Sequence, residues 1–235
     1  MIKHFVQTFV LGTTTALLFG CGGGGDSGAP AAPVAASTTV PLQAGYQARI
    51  KAGSQDNYTV SGTCAGTATL SNGSTTAAAF EGVSGFAASQ TVTLNFPNCA
   101  AMTSNALSGT SYFNANYALI GTSIPGVRYE TLPSALSVPV LVKVGDTAVL
   151  GALTVYADSS KASVTGQRVL SFVAEADTAS TVIINLISKD YNSSNQLVST
   201  AQSRFRLAAD GTLTSTTINV QYSTTSTNHL TYTKS

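Results

Sequence analysis

The sequence is poor in charged residues, histidine and cysteine, and it contains no tryptophan. Charged residues make up 9% of the chain, and 11 basic residues against 10 acidic ones leave a net charge of +1. A nucleic-acid-binding protein needs a basic patch that neutralises phosphates, whereas the lysines and arginines here are scattered singly, so we expect no nucleic-acid partner. With 3 cysteines and 2 histidines the chain also lacks the clustered ligands of a metal site, and we expect no metal and no cofactor.

The residues that are abundant are threonine, serine, alanine, valine and glycine. Strands favour β-branched residues, and hydroxyl groups make their outer faces soluble, so this composition is typical of a secreted β-protein. Hydrophobic residues make up 43% of the chain, with 9 tyrosines and 9 phenylalanines. This content is enough to build a core, which argues against a disordered chain.

The N-terminus has the organisation of a secretory signal peptide. Lys3 supplies a positive charge, residues 5–19 are mostly apolar, and Gly20 precedes Cys21. The apolar segment is shorter than the roughly 20 residues that cross a bilayer. The run Leu18-Phe19-Gly20-Cys21 resembles the lipobox of bacterial lipoproteins, with an ordinary secretory peptide as the alternative. The resemblance implies cleavage before Cys21 and attachment of a diacylglyceryl group and a further acyl chain, such as palmitate, to this residue.

A segment rich in glycine, alanine and proline follows the cysteine, over residues 22–41. Such a composition predicts a flexible tether, which a domain attached to a lipid needs. Gly22 stands where an aspartate favours retention in the inner membrane of enteric bacteria. By analogy, the lipobox resemblance implies the outer membrane, with either a periplasmic or a surface-facing domain.

After the tether, apolar and polar residues alternate with a period of two, and turn signals recur about every eight to twelve residues. Val92, Leu94 and Phe96 illustrate the alternation. We expect the first strand at residues 46–50 and no helix longer than two turns. The predicted fold class is all-β, either an antiparallel β-sandwich or a soluble barrel. The pattern does not decide between one core and two β subdomains. Threonine-rich strands such as residues 59–63 lack the large alternating apolar residues of a membrane-spanning barrel.

The predicted organisation has five parts. They are a signal peptide (1–20), the lipidated cysteine and tether (21–41), an N-terminal β region (42–124), a proline-containing connection (125–139) and a C-terminal β region (140–235). The stretch from Val144 onward, including Arg204-Phe205-Arg206-Leu207 and Asp210-Gly211, resembles a module of uncharacterised envelope lipoproteins of Gram-negative bacteria. This resemblance implies no particular activity.

Two cysteines are left once lipidation has used Cys21. Cys64 and Cys99 lie near the ends of two predicted strands, and an even pair in an oxidising compartment predicts a disulfide. In the loop-entropy model such a bridge contributes about 3 to 4 kcal/mol. A redox or metal-binding pair is the alternative.

Catalytic residues are weakly indicated. His229, the sole histidine after the signal peptide, lies near the C-terminus, where we expect an exposed or edge-strand position rather than a catalytic one. Paired carboxylates for glycoside hydrolysis could come from Glu81, Glu130, Glu175, Asp177 and Asp190. The best acidic pair is Glu175 and Asp177, although such neighbours at a strand end are more often solvated. Residues 190–194 imitate the start of a calcium loop but are not followed by its turn glycine and bidentate glutamate.

The sequence therefore predicts a lipid-anchored envelope protein that is not an enzyme and presents a β-domain for a structural or binding role. Its partner, apart from the membrane, is expected to be a protein or a glycan that contacts outward aromatics such as Tyr112, Tyr117 and Tyr191. The alternative is an envelope-glycan hydrolase that uses acidic residues. The binding protein predicts an exposed aromatic or apolar patch, whereas the hydrolase predicts a cleft in which carboxylates meet.

Overall fold

The computed structural model describes residues 39–99, 102, 104–222 and 228–235. The predicted signal peptide, the lipobox run with Cys21, and nearly all of the tether lie outside the described residues. Within them the chain is β-structured apart from one helix of 11 residues, α1 (Leu42–Ala52). Among these residues, no helix combines the length and the apolarity that a membrane crossing requires.

The described residues after α1 form 13 strands. These are β1 (Ser54–Gly62), β2 (Gly66–Asn72), β3 (Thr76–Phe80), β4 (Val83–Asn95), β5 (Asn105–Asn114), β6 (Leu119–Ile124), β7 (Arg128–Thr131), β8 (Thr147–Tyr156), β9 (Val164–Ala176), β10 (Thr181–Asn192), β11 (Leu197–Ala208), β12 (Leu213–Tyr222) and β13 (His229–Lys234).

The strands form one antiparallel sheet that closes on itself. Sequence neighbours pair from β4 to β13, and β13 then pairs with β1, and β1 with β2. The second half of β4 pairs with β2 and closes a barrel of 12 strands, while β3 pairs with the first half of β4 and extends from this ring. The all-β prediction and its barrel alternative are confirmed. The sandwich is wrong because the β13–β1 and β2–β4 pairings join the edges that two separate sheets would leave open.

Both predicted β regions contribute to this one ring. β1 to β6 come from residues 42–124, and β8 to β13 come from residues 140–235. Residues 125–139, predicted as a connection, contain the turn after β6, the whole of β7 and the start of an irregular segment. β7 pairs with β6 and β8 and so belongs to the barrel wall.

The strand predicted at residues 46–50 is wrong, because these residues lie in α1. Tyr46, Ala48 and Ile50 alternate with polar residues, but packing against the end of the barrel decides the conformation, as it often does for a short segment. The helix ends at Gly53, whose φ of 74° favours glycine. At Gly45 a Cβ atom would lie 2.5 Å from the carbonyl oxygen of Gly211, so the absence of a side chain allows this close approach.

α1 and residues 132–146 close one end of the barrel. Val40, just before the helix, exchanges backbone hydrogen bonds of 2.7 and 3.0 Å with Val142. Gln47 Nε2 donates a hydrogen bond of 2.9 Å to the carbonyl oxygen of Asn116 in the β5–β6 turn. An apolar cluster fills this end, and its buried members include Leu42, Leu136, Val142, Leu153, Phe172, Val182, Ile184 and Leu207.

The opposite end carries the predicted disulfide. Cys64, in the β1–β2 turn, is bonded to Cys99, which follows β4, with a Cα–Cα distance of 5.6 Å. The disulfide prediction is confirmed. A second apolar cluster packs beside it, and its buried members include Tyr58, Val60, Ala68, Leu94, Phe96, Ile218, Val220, Leu230 and Tyr232.

Candidate functional site in the barrel interior

A cavity of about 250 Å³ lies inside the barrel, between the two apolar clusters. Leu153 and Leu170 from the first cluster and Tyr58 and Ile218 from the second all line it. A volume of this order, with mostly apolar walls, is near the lower limit for sites that enclose a small molecule.

The cavity wall consists mainly of apolar side chains that are not fully buried. Val92 shares its strand face with buried Ala88 and Leu94, so it points inward, yet it is only half-buried. The same holds for Leu186, which lies between buried Ile184 and Ser188 on one face of β10. The half-buried apolar side chains that line the cavity include Tyr46 and Ile50 of α1 and Leu70, Val92, Leu107, Leu119, Leu186, Phe205 and Leu213 of the strands.

Four charged side chains form the interior cluster on one side of this cavity. Alternation along β7 turns Arg128 and Glu130 inward, and the same alternation brings Arg168 of β9 and Asp190 of β10 to them. The exposed fractions of these residues, with their backbone included, are 5%, 0%, 2% and 7%, respectively. Charged groups are seldom buried to this extent unless they are paired.

Ion pairs and hydrogen bonds connect the cluster. Arg168 Nε donates to Asp190 Oδ1 at 2.7 Å, and its Nη1 donates to Glu130 Oε2 at 3.4 Å. Arg128 Nε lies 3.4 Å from Glu130 Oε1. Thr122 Oγ1 donates a further hydrogen bond to Glu130 Oε2. The two carboxylates are thus joined through Arg168.

Burial changes the acidity of both carboxyl groups. It raises the pKa of Glu130 above its ordinary value, against the opposing effects of Arg128 and the Thr122 hydroxyl. It also raises the pKa of Asp190 to about 6, although Arg128 and a 3.0 Å hydrogen bond from Ser199 oppose this change. Asp190 therefore takes up a proton at a higher pH than an exposed aspartate does, and a carboxyl group shifted in this way beside a cavity is a candidate for a functional site.

A second group of charges fixes α1 at the cavity. Asp56 of β1 is 4% exposed and accepts a hydrogen bond of 2.7 Å from Lys234 Nζ. It also accepts one from Arg49 of α1, whose guanidinium lies 5.4 Å from the ring centre of Phe205. These contacts join the helix to β1, β11 and β13, so their role is to position the cavity wall.

The aromatic residues predicted to bind a partner are not brought together. Tyr112 stacks on Phe80 with 4.3 Å between ring centres, and Tyr117 stacks on Phe86 at the same distance. Tyr191 lies half-buried on β10, and four strands separate β10 from the β5 strand of Tyr112. Tyr112 and Tyr117 thus stack on two different phenylalanines, and Tyr191 lies on a strand that does not adjoin theirs.

The predicted acidic pair faces outward and is engaged by arginines. Glu175 Oε2 accepts from Arg204 Nε at 3.1 Å, and Asp177 Oδ2 accepts from Arg206 Nε at 2.6 Å. Hydrogen bonding to Arg206 lowers the pKa of Asp177. His229 is exposed, with Nε2 3.2 Å from Thr231 Oγ1. The described part of the chain holds no group of three or more His, Cys, Asp or Glu side chains arranged for a metal ion.

The sequence offered Glu130 and Asp190 only as two of five candidate carboxylates and did not predict the interior cluster that joins them to Arg128 and Arg168, although one signal of it is present. Arg168 lies on the same face of β9 as Leu170, Phe172 and Ala174, because side chains alternate along a strand, and this face points toward the core. A charged residue on an apolar strand face indicates either a buried ion pair or a lined cavity. Glu130 gives no comparable signal, because β7 has only 4 residues.

Comparison of the chain with protein-family models, with curated proteins and with solved structures gave no match. The barrel and the chemistry of its interior are therefore the basis for the function proposed below.

Proposed function

We propose that this chain is a lipid-anchored protein of the bacterial envelope whose barrel binds a small, mainly apolar ligand in its interior. The observation that carries the proposal is the cavity of about 250 Å³ lined by apolar side chains that point inward but are only half-buried. The proposal retains the binding role predicted from the sequence, but it assigns binding to the barrel interior rather than to exposed aromatic residues.

The width of the ring supports interior binding. Side chains can fill a barrel of about eight strands, whereas wider barrels enclose ligand cavities or channels. With 12 strands, the two apolar clusters fill the ends and leave the middle open. A ligand that covers the half-buried leucines and Val92 gains about 25 cal/mol for each Å² of apolar surface removed from water.

The anchor is supported by the lipobox-type run and by the tether composition. The Cys64–Cys99 disulfide suits an oxidising compartment. The outward side chains of β1 are exposed and polar, as an aqueous environment requires; they are Gln55, Asn57, Thr59 and Ser61. An outer-membrane location follows from the analogy with enteric lipoproteins and belongs to the same proposal.

Replacing Cys21 by serine tests the anchor. In cells given labelled palmitate, we expect the parent chain to carry the label and to sediment with membranes, and the Cys21→Ser chain to do neither. A Cys64→Ser/Cys99→Ser chain, which keeps Cys21, is the matched control and should still be labelled. Label on the Cys21→Ser chain would contradict lipidation at this residue.

Filling the cavity tests interior binding. Leu107 points into the cavity, and its exposed neighbour Ala106 points outward, so Leu107→Trp and Ala106→Trp form a matched pair on β5. We expect the purified full chain to bind the apolar fluorophore N-phenylnaphthylamine saturably. Leu107→Trp should weaken this binding at least about tenfold, equivalent to roughly 1.4 kcal/mol, and Ala106→Trp should leave it unchanged. Equal binding by both variants would show that the fluorophore is held elsewhere.

The alternative predicted from the sequence, a glycan hydrolase built on Glu175 and Asp177, receives no support from their geometry. Both carboxylates are held by arginines on the outer face, away from the cavity. That alternative stays a prediction, and assay of a Glu175→Ala/Asp177→Ala chain on peptidoglycan tests it.

A further inference from the structure

Large apolar side chains are exposed at the end of the barrel that α1 closes. In the described part of the chain, the three most exposed large apolar residues are Val149, Val140 and Leu141, at 68%, 64% and 54%. Ser137 N donates a hydrogen bond of 2.9 Å to the carbonyl oxygen of Leu150, so the segment before Val140 runs beside the start of β8, which carries Val149. Single exposed apolar residues are ordinary, whereas neighbouring ones indicate a contact surface. We call Val140, Leu141 and Val149 the apolar end patch.

The backbone that carries Val140 and Leu141 is held against the barrel. Val142, the next residue, is buried in the first apolar cluster and exchanges its backbone hydrogen bonds with Val40. The carbonyl oxygen of Val140 accepts a hydrogen bond of 3.4 Å from the backbone N–H of Gln43 in α1. The segment is therefore fixed on its inner side, and it presents two adjacent apolar side chains outward.

The predicted tether joins the barrel at this same place. Thr39 is exposed, and Val40, which follows it, pairs with Val142. At about 3.6 Å per residue, the chain between Cys21 and Thr39 spans at most about 65 Å. For a flexible segment of this length the mean separation is about 23 Å. An anchor at Cys21 thus keeps the apolar end patch close to the bilayer, where even a weak contact is occupied.

The charges of the segment indicate how such a contact forms. Residues 132–146 contain two charged residues of opposite sign, Lys143 and Asp146, and so carry no net charge. A polybasic segment is attracted to anionic lipids, and this segment lacks that attraction. Apolar side chains such as Val140 and Leu141 bind a bilayer by insertion at its interface. The contact therefore requires no anionic lipid.

We propose that the apolar end patch inserts into the phospholipid surface that holds the lipid anchor, so that the α1 end of the barrel faces the membrane. The inference rests on the anchor at Cys21, which belongs to the function proposed above. The end with the Cys64–Cys99 disulfide then faces away from the bilayer. This orientation places α1, whose Tyr46 and Ile50 line the cavity, next to the lipid phase, in which apolar compounds accumulate.

Single tryptophans at the two ends of the barrel test this orientation. The chain contains no tryptophan, so Leu141→Trp introduces the only one. Val164→Trp is the matched control, because Val164 is 53% exposed and begins β9 at the other end. It lies roughly 33 Å along the strand from Ala174, whose carbonyl oxygen accepts from Gly145 N. Tryptophan itself favours membrane interfaces, and the control shares this preference.

The lipidated full chains are reconstituted into phosphatidylcholine vesicles whose acyl chains carry bromine near the headgroup. Inserted side chains lie about 5 to 10 Å into the interface, so we expect Leu141→Trp to lose at least about half of its emission, with a shift to shorter wavelength. Val164→Trp should show neither change. Adding phosphatidylglycerol should not increase the loss. Val140→Asp, combined with Leu141→Trp, places a charge at the interface and should reduce the quenching at least about twofold.

The outcomes separate this inference from the anchor. If the chains float with the vesicles but neither tryptophan is quenched, or both are quenched equally, the anchor stands and the orientation is wrong. If the parent chain does not float with vesicles, the anchor fails and the inference fails with it. Should Leu141→Trp not fold, hydrogen exchange of the parent chain decides the matter. Exchange around residue 140 should be slower on vesicles than in the soluble Cys21→Ser chain, and equal rates would contradict insertion.

Discussion

Strands β9, β10 and β11 carry two sets of arginine–carboxylate pairs, one inside the barrel and one outside. In the interior cluster, Arg168 Nε lies 2.7 Å from Asp190, and the two side chains are 3% and 10% exposed. In the outer pair, Arg206 Nε lies 2.6 Å from Asp177, and the exposed fractions are 50% and 14%. The shortest contacts are nearly equal in length, but the outer pair is bidentate, because Arg206 Nη2 also donates to Asp177 Oδ1 at 3.1 Å, whereas Arg168 Nη1 donates to Glu130. The two pairs therefore differ both in their access to water and in the number of hydrogen bonds that join them.

The two aspartates respond to this difference in opposite directions. Burial raises the pKa of Asp190 to about 6, whereas hydrogen bonding to Arg206 lowers the pKa of Asp177. Inside the barrel, desolvation of Asp190 outweighs the attraction of Arg128 and the hydrogen bond from Ser199, whereas outside the hydrogen bond from Arg206 outweighs the desolvation of Asp177. A buried ion pair is weak evidence for stability, and the proposed function would give this one a role beside the cavity.

The largest effect is expected when the interior pair is broken. Arg168→Met removes the cation that joins Asp190 and Glu130 and leaves two buried carboxyl groups without it. We expect a loss of about 3 to 5 kcal/mol in the free energy of unfolding, measured in urea at about pH 7.5. The loss should be smaller at about pH 5, where the carboxyl groups can take up protons. A loss below about 1 kcal/mol would mean that water reaches this cluster.

The pH dependence of stability gives a smaller and more specific effect. The pKa of Asp190 rises from its ordinary 3.8 to about 6 on folding, so the folded chain holds the proton more tightly. This group therefore stabilises the fold below about pH 4, and that contribution is lost as the pH rises toward 6. At 1.36 kcal/mol per pKa unit, the loss is roughly 2 to 3 kcal/mol.

Asp190→Asn should remove this decrease in the free energy of unfolding with rising pH, because asparagine does not titrate. We expect the free energy of unfolding of this variant to change less between about pH 4 and pH 6.5 than that of the parent chain, whatever its absolute value. Asp177→Asn is the matched control, because the lowered pKa of Asp177 acts in the opposite sense and below about pH 4. Parallel curves for the parent and Asp190→Asn would show that burial does not govern this carboxyl group.

The sequence predicts the parts of the fold that depend on neighbouring residues, and not those that depend on residues far apart in the chain. Alternation is a local property, and it correctly places side chains such as Val92 and Leu94 on one face. Closure of the ring depends on pairing of β1 with β13, whose residues lie far apart in the chain, so no local pattern distinguishes the barrel from a sandwich. α1 was missed because three alternating apolar residues also fit one helical segment.

The candidate site was missed for a related reason. The parity of Arg168 on β9 places it on the inner face, but parity does not say whether that face meets a packed core or a cavity. The answer depends on how many strands the ring contains, which is a property of the whole chain. Cys64 and Cys99 were predictable because pairing followed from cysteine number and compartment without knowledge of the topology.

The smallest effect is expected on the outer face. Arg206→Gln removes the exposed partner of Asp177, whose carboxylate keeps its contact with Thr181 and with water. Exposed pairs are worth about 0.2 to 1 kcal/mol, so we expect a loss within that range in urea unfolding, decreasing as salt is added. Binding of N-phenylnaphthylamine should not change, because this pair does not reach the cavity. A loss as large as that of Arg168→Met would mean that position in the sheet, rather than access to water, sets the strength of these pairs.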